Sequence, residues 1–526
     1  MDRFSSDRPG PDEHPDTTED TEDTEIKARQ QYDWSSVSPV SSVVDRLMLV
    51  LRSTRMVLPD TERPAALHIE HGVIERIVEY VSEDPTGATI FNAGDLAVSP
   101  GLVDTHVHIN EPGRTAWEGF DTATRAAAAG GVTTLVDMPL NSVPATTTVA
   151  ALHAKRAAAQ AQCHVDVAFW GGVVPGNAGE LDALVDAGVR GFKCFLVPSG
   201  VEEFAAVDED DLRAALPVVA RRHVPLLVHA ESPRVIAECG SRNADFNPQS
   251  NPQSAIRDPQ SYAAYLASRP PEAEVEAIRL MVRLAAEYGA HIHIVHVSSA
   301  EGVEAIAAAR AASVPITAET CPHYLTFAAE EIVDGATEFK CAPPIRTSSH
   351  RDALWHGLGR GVLDLIATDH SPSTPELKRP GGVGDFMTAW GGIASLELSL
   401  AATWTTLKAQ LSTCSGERST LSVETSKLSL EMSPLCRLAR WLSAAPAALA
   451  GLGTRKGQIA PGFDADLVVW DPDVDGVVDA ARLQQRHKLT PYAGRSLAGS
   501  VATTFSRGER VWDRNRLARA YGGRLL

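Results

Sequence analysis

The chain has 526 residues, of which 44% are hydrophobic and 22% charged, enough for a large core and for more than one ordinary domain. No stretch approaches the roughly 20 uninterrupted apolar residues that a membrane span needs, and the N-terminus lacks the pattern of a secretory signal. The net charge of −19 disfavours nucleic acid and anionic membranes as partners. Seven scattered cysteines favour a reducing compartment. We therefore predict a cytoplasmic protein, with the peroxisome left open.

The two ends of the chain differ from its middle. Residues 1–41 are rich in Asp, Glu, Thr, Ser and Pro and contain few apolar residues, which predicts a disordered acidic leader. Residues 42–98 and 453–515 both contain short alternating strands separated by turn residues. We therefore predict one small β-sandwich domain that is built from both termini.

The middle of the chain, residues 99–452, alternates strand-like and alanine-rich helical patterns. Repeated β-then-α units favour parallel strands, in either a (β/α)8 barrel or a doubly wound sheet, and the count of eight strands favours the barrel. Residues 411–432 lack this periodicity and are predicted to form an inserted surface loop. The predicted strands are 101–109, 132–138, 164–170, 189–196, 225–229, 291–296, 314–319 and 362–367, and the predicted helices include 118–129, 149–161, 208–222, 272–288 and 299–312.

A histidine pair, His106 and His108, ends the first predicted strand of this barrel. Side chains alternate along a strand, so both imidazoles lie on one face, where two neutral imidazoles can bind one metal ion. A barrel gathers its strand ends, and further polar residues occur there: Lys193, His229, His296 and Asp369. A structural role is the alternative for each residue alone. All six together favour a metal site, because buried ionisable groups are costly unless they are paired or bind metal.

Lys193 is the unexpected member of this set, because an ammonium group with an ordinary pKa of about 10.4 repels metal ions. A lysine that has reacted with CO₂ carries a carbamate, whose negative charge and two oxygens would bridge two metals. An ordinary lysine packed against the sheet is the alternative. His291 and His293 lie on the opposite strand face from His296 and are interpreted as structural, whereas His323 is a further candidate for the pocket wall.

The ordered strand-end residues resemble the signature of the amidohydrolase superfamily, in its cyclic amidase branch. The resemblance covers roughly residues 45–515 and implies a barrel with a two-ended β-sandwich and two zinc ions per subunit. It also implies that Asp369 moves a proton during hydrolysis and that Lys193 is carbamylated (N6-carboxylysine). The implied ligands are His106, His108 and Asp369 for one metal, His229 and His296 for the other, and Lys193 as the bridge.

Within this branch the local motifs are similar to those of allantoinases, which hydrolyse the hydantoin ring of allantoin to allantoate. Dihydroorotases carry an arginine where this chain has Asn110, and that arginine binds the carboxylate of their substrate. Allantoin has no carboxylate, so an amide at this position fits a neutral ring. The resemblance implies these substrate contacts: Asn110, Asn141, Ser371 and the backbone at Ala342.

Three alternatives to an allantoinase stay open. Dihydropyrimidinases and hydantoinases usually place a tyrosine shortly after the bridging lysine, where this chain has Phe195, Leu196 and Val197. A dihydroorotase is disfavoured by Asn110. An inactive scaffold is disfavoured because relatives of that kind lose metal ligands, whereas this chain keeps all six. The resemblance also implies a small-molecule substrate and a homotetramer.

Overall fold

The computed structural model describes residues 48–244, 258–414 and 432–526. The predicted leader, residues 1–41, lies outside the described residues, as does most of the predicted insertion 411–432. The strands are β1 (Leu49–Val57), β2 (Glu62–Glu70), β3 (Val73–Val78), β4 (Thr89–Asn92), β5 (Ala97–Pro100), β6 (Leu102–Val107), β7 (Val132–Asp137), β8 (Asp166–Phe169), β9 (Gly171–Gly172), β10 (Phe192–Phe195), β11 (Leu226–His229), β12 (Ile292–Ile294), β13 (Ile316–Thr320), β14 (Leu365–Ile366), β15 (Leu467–Val477), β16 (Ser496–Ser506), β17 (Glu509–Asp513) and β18 (Arg516–Leu517).

The helices lie between and after the central strands, and a π-helical turn (Arg440–Ala444) joins the last two. They are α1 (Phe120–Ala129), α2 (Val149–Ala159), α3 (Leu181–Asp186), α4 (Glu209–Arg222), α5 (Pro233–Ala244), α6 (Tyr262–Ser268), α7 (Pro271–Tyr288), α8 (Ala300–Ala311), α9 (Pro322–Thr326), α10 (Ser348–Gly359), α11 (Pro375–Lys378), α12 (Ser399–Cys414), α13 (Pro434–Ala439) and α14 (Ala445–Leu449). None of these described helices is long and apolar enough to cross a membrane.

A β domain is shared between the two ends of the described chain. Its sheet has the order β18-β17-β16-β15-β5-β1-β2-β3, with β4 beside β1. The antiparallel pairing of β15 with β5 joins the ends, since Leu467 lies opposite Pro100 and Trp470 opposite Ala97. Register shifts in β1 and β15 bend the sheet, and its strands enclose an apolar cluster of their own. The predicted two-ended β domain is confirmed.

The central strands are parallel and form an eight-membered barrel, as the sequence predicted. β8 and β9 are one strand interrupted at Trp170, because β7 pairs with β8 and β9 pairs with β10. The residues after β14 close the barrel against β6: the N–H of His108 donates to the carbonyl of His370 over 2.8 Å. In such a barrel the loops that follow the strands meet at one face and carry the functional groups.

The barrel helices begin and end where their sequences provide caps. The Asp208 side chain accepts the Asp211 N–H at the start of α4, and the Ser299 side chain accepts the Gly302 N–H at the start of α8; these contacts satisfy N–H groups that the helix leaves free. α7 begins at a proline and is followed by Gly289, whose φ of 62° is left-handed, as is common after a helix. These helices orient the strand ends that carry the candidate site.

Candidate active site

A cavity of about 930 Å³ opens at the carboxyl ends of the barrel strands. Eight of the ten predicted site residues line it: His106, His108, Asn141, His229, His296, Ala342, Asp369 and Ser371. Lys193 and Asn110 are buried and do not belong to its described wall. The structure therefore brings five of the six predicted metal ligands to one cavity.

His106, His108 and Asp369 form the tightest group in this cavity. The Nε2 atoms of both histidines lie 3.3 Å from Oδ1 of Asp369, and one ligand atom from each residue lies within 4.8 Å of the others. Burial by itself would raise the pKa of Asp369, but the nearby His106 and the hydrogen bond from His108 hold that pKa well below its usual range. The carboxyl group is therefore ionised and can act as a metal ligand or as a proton acceptor.

His229 and His296 form a second group beside the first. Their ring centroids are 4.7 Å apart, and the ring of His296 lies 5.5 Å from that of His106. Burial lowers the pKa of both His229 and His296. Both imidazoles are therefore neutral at physiological pH, which is the form that binds a metal.

Lys193 lies on β10 beneath the same histidines, with its side chain fully buried. Its Nζ is 4.7 Å from the ring centroid of Phe195, which stacks on the ring of His229 at 4.6 Å. Among the described residues Nζ has no hydrogen-bond partner, and burial lowers the pKa of Lys193 to about 8. A buried ammonium without a partner is costly, whereas the neutral amine is the form that reacts with CO₂.

These donors fit a divalent metal centre. The set contains neutral imidazoles and an ionised carboxylate, the donors that zinc prefers among the non-thiolate ligands. Two further observations fit the same conclusion: in the described chain, Lys193 Nζ and His296 Nδ1 are buried without a hydrogen-bond partner. Orphaned polar atoms of this kind are rare in proteins and call for an explanation, which a metal centre would provide.

Two buried carboxylates that the sequence analysis did not assign contact candidate ligand histidines. Oε2 of Glu231 lies 2.7 Å from Nε2 of His229, and Arg269 Nε donates to the other oxygen of Glu231 over 3.0 Å. Glu319 contacts Nδ1 of His106. The sequence signal for Glu231 is its position two residues after His229, whereas Glu319 reaches His106 from a different strand. Partners of this kind fix the orientation of ligand histidines.

Four residues around the cavity adopt left-handed backbone conformations. Asn110 and Asn141 have φ of 68°, His296 has φ of 43° and Asp369 has φ of 45°. Asparagine, aspartate and histidine adopt this region more often than other residues with a side chain, but it is uncommon for them too. Strain of this kind costs about 1–3 kcal/mol per residue and concentrates at functional sites. At His296 and Asp369 it turns the side chain from the end of its strand towards the cavity.

The predicted substrate contacts fall into two classes. Asn141, Ala342 and Ser371 line the cavity, and Asn141 Nδ2 lies 3.5 Å from Nδ1 of His108. Asn110 is instead buried, and its Nδ2 donates over 3.4 Å to the carbonyl of Pro372. Asn110 therefore supports the loop that carries Ser371 in this structure.

His323, the further candidate for the pocket wall, is fully buried and is not part of the described cavity lining. Its ring packs against Tyr324 with the centroids 4.2 Å apart. Burial lowers the pKa of His323 to about 4, so the ring is neutral. It contributes to the packing behind the cavity.

The sequence signature of the amidohydrolase family matches residues 97–511. The chain belongs to the amidohydrolase family. The matched range contains the whole barrel and every predicted site residue, so family membership covers both the fold and the site of this amidohydrolase.

Several curated relatives of this amidohydrolase are named allantoinases. The protein from Streptomyces avermitilis is 47% identical over 463 residues, which cover 88% of this chain and 95% of that protein. The protein from Saccharomyces cerevisiae is 43% identical over 427 residues, covering 81% and 84%. The protein from Arabidopsis thaliana is 39% identical over 485 residues, covering 89% and 88%.

Solved structures similar to this amidohydrolase are named hydantoinases or dihydropyrimidinases. The L-hydantoinase (dihydropyrimidinase) from Arthrobacter aurescens superposes with a TM-score of 0.79 at 30% identity, over 91% of this chain and 99% of that one. The dihydropyrimidinase from Brevibacillus agri superposes with a TM-score of 0.78 at 26% identity, over 91% and 98%. The (β/α)8 barrel with its separate β domain is therefore the fold of these enzymes.

Proposed function

We propose that this chain is a metal-dependent hydrolase of cyclic amides that opens the hydantoin ring of allantoin to give allantoate. The observation that carries the hydrolytic chemistry is the convergence of four histidines and Asp369 on one cavity beside the buried Lys193. The choice of allantoin is supported by the allantoinase relatives, which match this chain over more than four fifths of its length.

The proposed centre contains two zinc ions per subunit. His106, His108 and Asp369 would hold one ion, His229 and His296 the other, and carbamylated Lys193 would bridge them. Such a carbamate forms when the neutral amine of Lys193 adds to the carbon of CO₂ and releases a proton. When bound, a metal pair lowers the pKa of water towards neutrality and polarises a carbonyl group.

The residues of the chain supply the proton transfer. In the overall reaction the oxygen of water bonds to the ring carbonyl carbon, the ring C–N bond breaks, and the nitrogen takes up a proton. Asp369 is ionised and lies at the cavity wall, so it is suited to take the proton from water and to deliver it to the departing nitrogen. A positioned acid–base group of this kind contributes about 10²–10⁴-fold to a rate.

The walls of the cavity would orient the ring. The carbonyl and N–H groups near Ala342 and Ser371 are proposed to bind the ring imide, with Asn141 beside His108. Two lysines hold one wall of the cavity, residues 386–392, through its backbone carbonyls. Lys340 Nζ donates to the carbonyl of Ala389 over 2.5 Å, and Lys378 Nζ donates to that of Trp390 over 3.0 Å.

Gly392 is the residue of this wall that packs against Ser371. We expect Gly392→Ala to lower kcat/KM for allantoin by about 10- to 100-fold, because small misplacements of binding groups have effects of that size. Gly392 has φ of +120°, and an added Cβ would lie 2.2 Å from the carbonyl oxygen of Ser371. Gly359→Ala is the matched control, since Gly359 has no neighbour within 4 Å of an added Cβ. Steady-state kinetics with unchanged values for Gly392→Ala would contradict a role for this wall in binding.

We also propose an oligomeric state and a cellular location. A homotetramer follows from the resemblance to cyclic amidases, and a cytoplasmic location, with the peroxisome left open, follows from the scattered cysteines. Size-exclusion chromatography with light scattering would test the first, and microscopy of the tagged protein in its host would test the second.

The substrate is tested by assaying purified, metal-replete protein against four rings: allantoin, dihydroorotate, dihydrouracil and hydantoin. We expect turnover of allantoin well above that of the others, and about two metal ions per chain by elemental analysis, as in two-metal hydrolases. Turnover of dihydrouracil or hydantoin without allantoate formation would favour the dihydropyrimidinase and hydantoinase alternative. A protein that binds no metal and hydrolyses none of the rings would be a scaffold.

A further inference from the structure

A chain of buried hydrogen-bonding groups leads from His106 into the interior of the barrel. Glu319, on β13, is fully buried. One of its oxygens contacts Nδ1 of His106, and the other lies 3.1 Å from Nε2 of His293 on β12. The carboxylate therefore joins one predicted metal ligand to a histidine that the sequence analysis interpreted as structural.

The chain continues away from the cavity towards the amino-terminal end of β12. Nδ1 of His293 lies 2.8 Å from Oγ1 of Thr317, which lies 2.8 Å from Nε2 of His291. His293 and Thr317 are register partners on adjacent strands, so the backbone pairing fixes their approach. His291 is half-buried and, among the described residues, is the last group of this hydrogen-bonded chain.

For neutral imidazole rings, an ionised Glu319 fixes the direction of every hydrogen bond in this chain. An ionised glutamate offers acceptors only, so His106 Nδ1 and His293 Nε2 each carry a proton. His293 Nδ1 is then an acceptor and receives the hydroxyl proton of Thr317. The oxygen of Thr317 in turn accepts the Nε2 proton of His291. Each contact has one donor and one acceptor, so the chain is consistent throughout.

We propose that Glu319 is a positioning residue that keeps His106 protonated at Nδ1, with the lone pair of Nε2 directed at the metal centre, and that His293 is the second direct partner that orients the carboxylate. Nε2 of His106 faces the cavity, where it lies 3.3 Å from Oδ1 of Asp369, the residue proposed to bind the same metal. This inference rests on the metal centre of the proposed function. To that function the inference adds Glu319 as the residue that selects which nitrogen of His106 binds the metal.

The Glu319→Gln variant removes the negative charge of Glu319 and keeps the shape of its side chain. An amide presents one acceptor and one donor group, so one of the two histidines must face an N–H group instead of an oxygen. If that histidine is His106, its proton moves to Nε2 and blocks the lone pair. If instead that histidine is His293, His106 faces a neutral amide oxygen, which raises the basicity of its ring less than a carboxylate does. In either orientation we expect a loss of zinc affinity of about 10- to 100-fold, the range typical of lost partners behind ligand histidines.

Thr317→Val is the matched control, because it breaks the same chain on the far side of His293 and leaves Glu319 intact. Both variants remove one buried polar contact, so we expect both to lower the thermal unfolding temperature. Only Glu319→Gln should weaken zinc binding substantially; Thr317→Val should change it by less than about threefold, since its effect on His106 is indirect.

The experiment is chelator competition on the zinc-loaded full-length protein and both variants, with thermal unfolding in parallel. Stronger zinc loss in Glu319→Gln than in Thr317→Val supports the proposal. Equal losses in the two variants, or zinc retention by Glu319→Gln equal to that of the parent, would overturn it. A parent protein that fails to hydrolyse allantoin but binds zinc would contradict only the proposed substrate and would leave this comparison valid.

A second measurement needs no folded Glu319→Gln variant. Nitrogen-15 spectra of the zinc-loaded parent protein, labelled at histidine, distinguish a protonated ring nitrogen from a metal-bound one, and the signal of His106 is assigned by its loss in His106→Gln. We expect His106 to carry its proton on Nδ1. A proton on Nε2 would overturn the assignment of Glu319.

Discussion

The Lys193→Ala variant is expected to lose both bound zinc ions and to hydrolyse allantoin at least about 10³-fold more slowly than the parent, because metal stabilisation worth several kcal/mol is removed. The side chain of Lys193 is fully buried on β10, and Nζ has no hydrogen-bond partner among the described residues. Alanine removes the only group of the site that is proposed to join the two metals.

If Lys193 acts as a carbamate, the Lys193→Ala variant should also be rescued by small carboxylic acids. Alanine leaves space where the lysine side chain and its carbamate would lie, so a short carboxylic acid such as acetate or propionate can supply the missing oxygens. We expect partial recovery of kcat and of metal content when the acid is added. Lys408→Ala, on α12, is the control. It should keep its activity and its bound metal, and neither should change when the acid is added. Full activity of Lys193→Ala without added acid would refute the bridging role.

The alternation of strands and helices was sufficient to predict the eight barrel strands, but their ends were predicted unevenly. The fifth predicted strand ends at His229, as β11 does. The sixth and eighth, 291–296 and 362–367, are longer than β12 and β14. His296 follows β12 with a left-handed backbone, and that conformation leaves no trace in side-chain periodicity.

The end of α12 illustrates the same limit. Residues 411–414, predicted as the start of an inserted loop, belong to this helix. Serine and threonine lower helix propensity only slightly, so a helix that packs against its neighbours continues through them. The prediction of a loop for 411–414 is therefore wrong, and the rest of that predicted insertion, up to residue 431, lies outside the described residues.

Metal-ligand candidates were accessible from sequence, whereas the groups that hold them were not. The histidines could be found because several ionisable residues fall together at the ends of predicted strands, where a barrel gathers functional groups. Glu319 and Thr317 occupy alternate positions of an otherwise ordinary strand, and only the register between β12 and β13 places Thr317 beside His293. Contacts between strands depend on register and barrel closure, which a single sequence does not specify residue by residue.

The Asp369→Asn variant is expected to reduce kcat for allantoin by about 10²–10⁴-fold, the contribution of a positioned acid–base group, while the protein stays folded. Asparagine has the shape of aspartate and keeps one oxygen near His106 and His108, so part of the ligand function is preserved. It has no carboxylate to accept a proton from water. The loss should therefore appear mainly in kcat, with a smaller change in bound metal.

Steady-state kinetics together with elemental analysis separate these two roles of Asp369. Asp364→Asn is the matched control: Asp364 lies next to β14, pairs with Arg310 and is outside the cavity, so its activity should stay within about twofold of the parent. A loss of metal proportional to the loss of kcat would assign Asp369 to metal binding alone. A kcat within about threefold of the parent, with metal retained, would exclude it as the proton carrier, because a positioned acid–base group contributes at least about 10²-fold.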